Sequence, residues 1–136
     1  RETPEEVAGK AAEAMTGKDA KAIWALTRGL GALKCDWCGI AVYEGKWDKP
    51  DCNGAKTLRS AEELEQAFDY LEENDKNSFI TGKVLRCRRG VCPIEQSSEQ
   101  YDSEGRVHTV YLKKINDESG SGKIWALTGI RFVFNY

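Results

Sequence analysis

Apolar residues recur along this chain with two different periods, and the change from one to the other divides it. Near the start, Thr3-Pro4-Glu5-Glu6 has the form of a helix entry, with Thr3 as cap, Pro4 at the first helical position and Glu6 placed for a capping box. Val7, Ala11, Ala14 and Met15 then form a narrow stripe of small residues. Gly17 is expected to stop that helix in a left-handed turn, and Asp19 to cap a second helix whose stripe is Ala22, Ile23, Leu26 and Leu30. A glycine-punctuated segment from Gly29 to Lys56 follows, loop-rich in pattern yet holding Trp37, Ile40, Val42, Tyr43 and Trp47. Ser60-Ala61-Glu62-Glu63 is another capping box, and Leu64, Ala67, Phe68 and Leu71 recur at helical spacing behind it.

From Ser78 the period becomes two. Phe79 to Arg88, Val91 to Ser97, Arg106 to Ile115 and Lys123 to Asn135 read as four strands of an antiparallel meander. In the last of them strict alternation puts Ile124, Ala126, Thr128, Ile130, Phe132 and Phe134 on one face. Trp125, Leu127, Gly129, Arg131 and Val133 fall on the other. Both faces are largely apolar, which suits a central strand with helices on one side and a second engaged surface on the other.

At 136 residues the chain is a single domain, residues 1–136, and with 40% apolar and 31% charged residues it is expected to fold alone. Lys and Arg number 20 against 22 Asp and Glu, so no overall basic field draws nucleic acid. The longest uncharged stretches, Trp37 to Tyr43 and Ile124 to Ile130, fall far short of the roughly 20 residues that span a bilayer, so no transmembrane segment is expected. No phosphate-binding loop, nucleophile elbow or paired-histidine metal helix occurs.

Five cysteines, Cys35, Cys38, Cys52, Cys87 and Cys92, admit three chemistries. Disulfides in an exported protein come first, with two bridges and one thiol left over. If Arg89-Gly90 is a two-residue hairpin loop, Cys87 and Cys92 are directly opposed, with Cα atoms about 4.5 Å apart. A three-residue loop would instead oppose Cys87 to Val91. Zinc held by Cys35-x-x-Cys38 with Cys52 or the later pair is the second chemistry, and thioredoxin-type redox at Cys35-Asp36-Trp37-Cys38 the third. The disulfide reading places the protein in the periplasm or outside the cell, with a targeting segment removed upstream of Arg1. No cofactor or metal is expected under it.

Order and content together, TPEEVAGKAAEAMTGKDAKAIWALT, then SAEELEQAFDYLEEN, then the closing KIWALTGIRFVFNY, resemble the nuclear-transport-factor-two-like superfamily. The resemblance implies an α+β cone, three N-terminal helices packed on a strongly curved antiparallel sheet, with an apolar pocket between helices and sheet. It also implies a homodimer through the convex sheet face. No motif carries a catalytic position over from the superfamily's isomerases.

Within that frame Trp24, Tyr43, Phe68, Trp125 and Phe132 are the expected ligand-binding lining, and Trp37 and Trp47 are further contact candidates. His108, the one histidine, is the candidate general base; it is in phase with Val110 and Leu112 and out of phase with Tyr111, so a His and Tyr dyad is not expected. Lys83, Arg86, Arg88 and Arg89 concentrate positive charge near the hairpin, and Glu99, Asp102 and Glu104 crowd an acidic loop without calcium-site spacing. The reading is an exported domain that binds a small apolar molecule or an envelope protein without catalysis. The alternatives are a small isomerase- or cyclase-like enzyme and a cysteine-based zinc or thiol site.

Overall fold

The computed structural model describes residues 2–40, 42–43, 46–47, 51–74, 81–96, 107–120 and 122–135, with side-chain surroundings given for 2–37, 56–70, 82–95, 107–120 and 122–133. Helix α1, Pro4–Thr16, starts where the sequence places it, the Thr3 hydroxyl accepting from the Glu6 N–H at 3.1 Å. It ends differently from expectation. Gly17 stays right-handed at φ −82°, and Lys18 takes the left-handed position at φ 52°. The reason is a Schellman closure: the Asp19 N–H donates to Ala14 O at 2.8 Å and the Lys18 N–H to Met15 O at 3.0 Å, offsetting a left-handed cost of about 1–2 kcal/mol. Asp19 then caps α2, Ala20–Ala25, through the Ala22 N–H.

That second helix is shorter than its apolar stripe. Leu26 closes it and is buried, whereas Leu30 lies beyond the left-handed Arg28 and Gly29 and is 45% exposed. Glu2 ties the chain entry to this turn, accepting from Lys10 and, at 2.9 Å, from Arg28. The Lys10 bond, aided by Arg28 and opposed by burial, holds its carboxyl below the ordinary 4.5. The pair's stabilisation is therefore present above that range and fades as pH falls through the lowered value, and for such exposed partners it is about 1 kcal/mol at most.

The segment read as loop-rich is mostly strand: β1 (Leu33–Ile40), a small ribbon β2 (Val42–Tyr43) with β3 (Lys46–Trp47), and β4 (Asp51–Leu58). Helix α3, Ala61–Asn74, follows these strands, so only two helices are N-terminal. Its capping box forms one residue out of step. The Glu63 N–H donates to Ser60 Oγ at 3.2 Å, but the Glu63 carboxylate reaches back to the Arg59 N–H at 2.7 Å. Strands β5 (Thr81–Val84), β6 (Val91–Gln96), β7 (Val107–Asn116) and β8 (Lys123–Asn135) are the meander the alternation predicts.

The fold is α+β, with one six-stranded sheet in the order β4-β1-β8-β7-β6-β5. It is mixed, not antiparallel, because β1 runs parallel to β8 through the pairs Lys34↔Gly129 to Ile40↔Asn135. A parallel pair needs a long connection, and here everything from β2 to β7 lies between the two strands in sequence. Helix α1 crosses β5 to β8, and α2 bridges α1 and α3. The small side chains Ala8, Ala11 and Ala12, fully or nearly buried, bring α1 close to the sheet over Ile94, Val110, Leu127 and Ile130.

A bulge decides the faces of β8. Pairing with β7 runs Tyr111↔Gly129 and then Leu112↔Leu127, so Thr128 is an extra residue and the alternation slips there. Trp125 and Leu127 consequently join Ile130 and Phe132 on the helix side, which strict alternation forbids. The Thr128 hydroxyl donates to Tyr111 O at 3.1 Å, and the Leu127 N–H, past the end of the β1 pairing, donates to Leu26 O at 2.8 Å.

The β5–β6 connection closes as a two-residue turn. Arg88 and Val91 exchange both backbone bonds (3.0 and 2.9 Å), with Arg89 at φ 52° and Gly90 at φ 78°, a type I′ geometry. Gly90 has no room for a side chain, since a Cβ would lie 2.1 Å from Leu112 O. Gly120 has nearly the same φ, 73°, with nothing within 4 Å. Gly90→Ala is therefore expected to cost about 3 kcal/mol or more in urea denaturation, against about 1 kcal/mol for Gly120→Ala. Equal losses at the two positions would show that the close approach at Gly90 does not matter.

Candidate functional site

His108 sits at the centre of the sheet, on β7 opposite Ile94 of β6, and is 0% exposed. Its Nδ1 accepts from the Val133 N–H at 3.0 Å, just past the last β7–β8 pair, Thr109↔Arg131. A nitrogen that accepts from an amide carries no proton, so the ring is the neutral Nε2–H tautomer. Phe132 meets it edge to face at 5.6 Å between centroids, and Phe68 of α3 meets Phe132 in the same way at 5.9 Å. These three rings form a line from α3 through β8 to β7. The candidate base thus holds backbone in the core, as the phase with Val110 and Leu112 foretells, while Tyr111 faces the other side.

Of the expected ligand-binding set, Phe68 (3% exposed) and Phe132 (0%) are brought together in this core. Trp24 and Trp125 are half-buried against its periphery. Lys114 Nζ lies 5.6 Å from the Trp125 ring centroid, covering its outer side. Tyr43 and Trp47 are on β2 and β3, and their side chains lie outside the described residues, as does the acidic loop with Glu99, Asp102 and Glu104. Lys83, Arg86, Arg88 and Arg89 are exposed on the β5–β6 hairpin.

Two hollows have chemically mixed walls. The first lies on the helix side, where α3 meets β1 and β4. It has a volume of about 290 Å³ and is lined by Trp37, Lys56, Glu63, Gln66, Ala67 and Tyr70. Trp37 stands opposite Gly54 in the β1–β4 pairing, a position with no side chain to crowd the indole. Its ring and that of Tyr70 are 6.0 Å apart and tilted by 52°. Tyr70 is 54% exposed, an unusual placement for an aromatic that packs against another. Helical spacing marks Ala67 and Phe68 as inward, but only the tertiary fold places Tyr70 beside Trp37. The second hollow is on the opposite sheet face, about 430 Å³ in volume, lined by Lys34, Asp36, Tyr111, Thr128, Gly129 and Arg131. Sequence alternation places Gly129 and Arg131 on that face, but gives no sign that β1 would lie alongside.

The cysteines divide by position. Cys87 and Cys92 form a disulfide with Cα atoms 4.3 Å apart, the two-residue-loop alternative of the sequence reading. Cys35 is a free thiol, fully buried in the core. Burial, with the neighbouring Asp36 charge, pushes that thiol up from 9.0 to about 12. The Cys35-x-x-Cys38 motif lies within strand β1, so it has neither the turn of a zinc knuckle nor the helix start that activates a thioredoxin-type thiolate. Among the described residues, no three His, Cys, Asp or Glu side chains converge as a metal site. Cys38 and Cys52 are on the neighbouring strands β1 and β4, with side chains outside the described set.

His108→Leu should destabilise the fold by about 1–3 kcal/mol in urea denaturation by stranding the Val133 N–H, and imidazole ¹⁵N shifts of the native protein should show the Nε2–H tautomer. An Nδ1–H tautomer would contradict the Val133 bond. At pH 8, iodoacetamide should leave Cys35 unmodified until denaturant is added. Tryptic cleavage after Arg88 and Arg89 should leave the Cys87 and Cys92 fragments joined until reduction.

Against models of known protein families the chain gives no match, and no curated protein is similar to it in sequence.

Proposed function

We propose that the protein is an exported binding domain without catalysis, and that the cleft between α3 and the sheet takes a small, apolar, ring-bearing molecule. The observation that carries this reading is the Trp37–Tyr70 pair, two partly solvated aromatic rings 6.0 Å apart flanking a hollow of about 290 Å³. Rings so placed offer large contact area at low conformational cost. Ala67 keeps the wall between them shallow, and Lys56 and Gln66 supply polar groups at the rim. Glu63 is committed to capping α3 through the Arg59 N–H, which makes it a poor general base.

Export is supported by the Cys87–Cys92 disulfide, since such bonds persist in oxidising compartments. No helix among the described residues is long and apolar enough to cross a membrane. Two N-terminal helices and a third, all on one face of a six-stranded sheet, also support membership of the nuclear-transport-factor-two-like superfamily, whose pocket lies between those layers.

An uncharged fluorescent probe, N-phenyl-1-naphthylamine, tests the cleft without engaging surface charge. Saturable binding to the folded protein is expected, weakened about tenfold or more in Trp37→Ala and in Tyr70→Ala. Tyr70 is exposed enough that its loss leaves the melting temperature nearly unchanged. Unaltered affinity in both variants would remove the cleft from consideration.

A further inference from the structure

The face of the sheet turned away from the helices carries a second hollow of different chemistry, separate from the aromatic cleft. Three strands build it. Parallel pairing sets Asp36 of β1 beside Arg131 of β8, and Lys34 beside Gly129. Antiparallel pairing sets Tyr111 of β7 on the other side of Gly129. A Cβ at Gly129 would stand 3.2 Å from Tyr111 Cδ2 and 3.3 Å from Lys34 O. The missing side chain is what lets the tyrosine lie over β8 and wall the hollow.

The charges in this hollow are incompletely satisfied. Arg131 touches Asp36 through one contact, Nη2 to Oδ2, at a long 3.4 Å. Arg131 Nε and Asp36 Oδ1 are both buried without a hydrogen-bond partner among the described residues. A guanidinium has five N–H donors, its one long contact engages only Nη2, and the Arg131 side chain is 40% exposed, so donors remain for a ligand. Lys34 is exposed at the rim and makes no ion pair among the described residues. Two cations against one carboxylate leave the hollow with a net single positive charge. The Thr128 hydroxyl is already engaged with Tyr111 O, so it adds no further donor.

We propose that this groove binds a small organic carboxylate with a flat apolar body. Arg131 presents its planar fork to the carboxylate, a geometry that matches two oxygens, and Lys34 supplies a second charge-assisted donor. The Tyr111 ring packs the body of the ligand. Asp36, beside Arg131 on the adjacent strand, orients the guanidinium and lowers the net charge of the hollow to one, and the flat apolar wall of Tyr111 favours a carboxylate with a ring over a bare phosphate.

Titration of the ¹⁵N-labelled chain with phenylacetate, acetate and inorganic phosphate at low salt tests the assignment. Phenylacetate should shift the amides of Gly129, Arg131 and Tyr111 saturably, and bind more tightly than acetate or phosphate. Arg131→Gln should weaken it about tenfold, and Lys34→Gln severalfold with an unchanged melting temperature. Tyr111→Leu should narrow the preference for phenylacetate over acetate. Added salt should weaken binding, as it does for partly exposed charges. The proposal is overturned if no saturable shifts appear, if phosphate or acetate binds as well as phenylacetate, or if Lys34→Gln leaves affinity unchanged. Shifts confined to the amides around Trp37 and Tyr70 would also overturn it, by placing the ligand in the other cleft.

Discussion

One extra residue in strand β8, Thr128, sets which side chains the sheet gives to the helices and which it leaves on the open face. Side chains alternate along a strand, so a single insertion exchanges the two faces beyond it. Upstream of the bulge, Trp125 and Leu127 are inward; downstream, Ile130 and Phe132 are. Without the slip either the first pair or the second would face away from α1 and α3, and the core would lose large side chains from one end. The bulge is held from both sides, by the Thr128 hydroxyl on Tyr111 O and by the Leu127 N–H on Leu26 O. The second of these bonds fastens the end of α2 to the central strand, and so fixes where the chain enters β1.

That entry point governs both hollows. Because β1 starts at Leu33 beside β8 and runs parallel to it, Trp37 is carried to the helix side, beneath α3, while Lys34 and Asp36 are carried to the open side next to Gly129 and Arg131. One strand therefore contributes to two chemically unlike surfaces, an aromatic cleft and a cationic groove. Between them lie Cys35 and the line of Phe68, Phe132 and His108, buried and engaged in packing or backbone bonds. His108 holds the Val133 amide and Cys35 packs in the core, so both contribute to the interior of the sheet.

Much of the local structure is legible in the sequence. Thr3, Asp19 and Ser60 mark helix starts because a short polar side chain satisfies an amide that the helix leaves open, and that chemistry needs no distant partner. Residues with apolar positions at period two become strands, and Arg89-Gly90 becomes a two-residue turn opposing Cys87 to Cys92. Where local signals mislead, the bonds that a segment goes on to make are the cause. Gly17 is a natural left-handed stop, yet Lys18 takes that conformation because the Schellman bonds close one residue later. The glycines between 29 and 56 suggest loop, yet β1 and β4 form because each gains a neighbouring strand.

The sequence by itself therefore determined the caps, the helical stripes and the period-two alternation of the meander strands, with His108 in phase with Val110 and Leu112, all of which depend on residues within a few positions of one another; it left open whether Cys87 would face Cys92 or Val91. Only the tertiary structure decided the parallel pairing of β1 with β8, the slip at Thr128 and the meeting of Trp37 with Tyr70 and of Asp36 with Arg131. The slip joins residues 17 positions apart across β7 and β8, and the other contacts join segments 33 to 95 positions apart. Their free energy comes from surfaces that exist only once the sheet has assembled, and the periodicity of either segment alone carries no record of its partner.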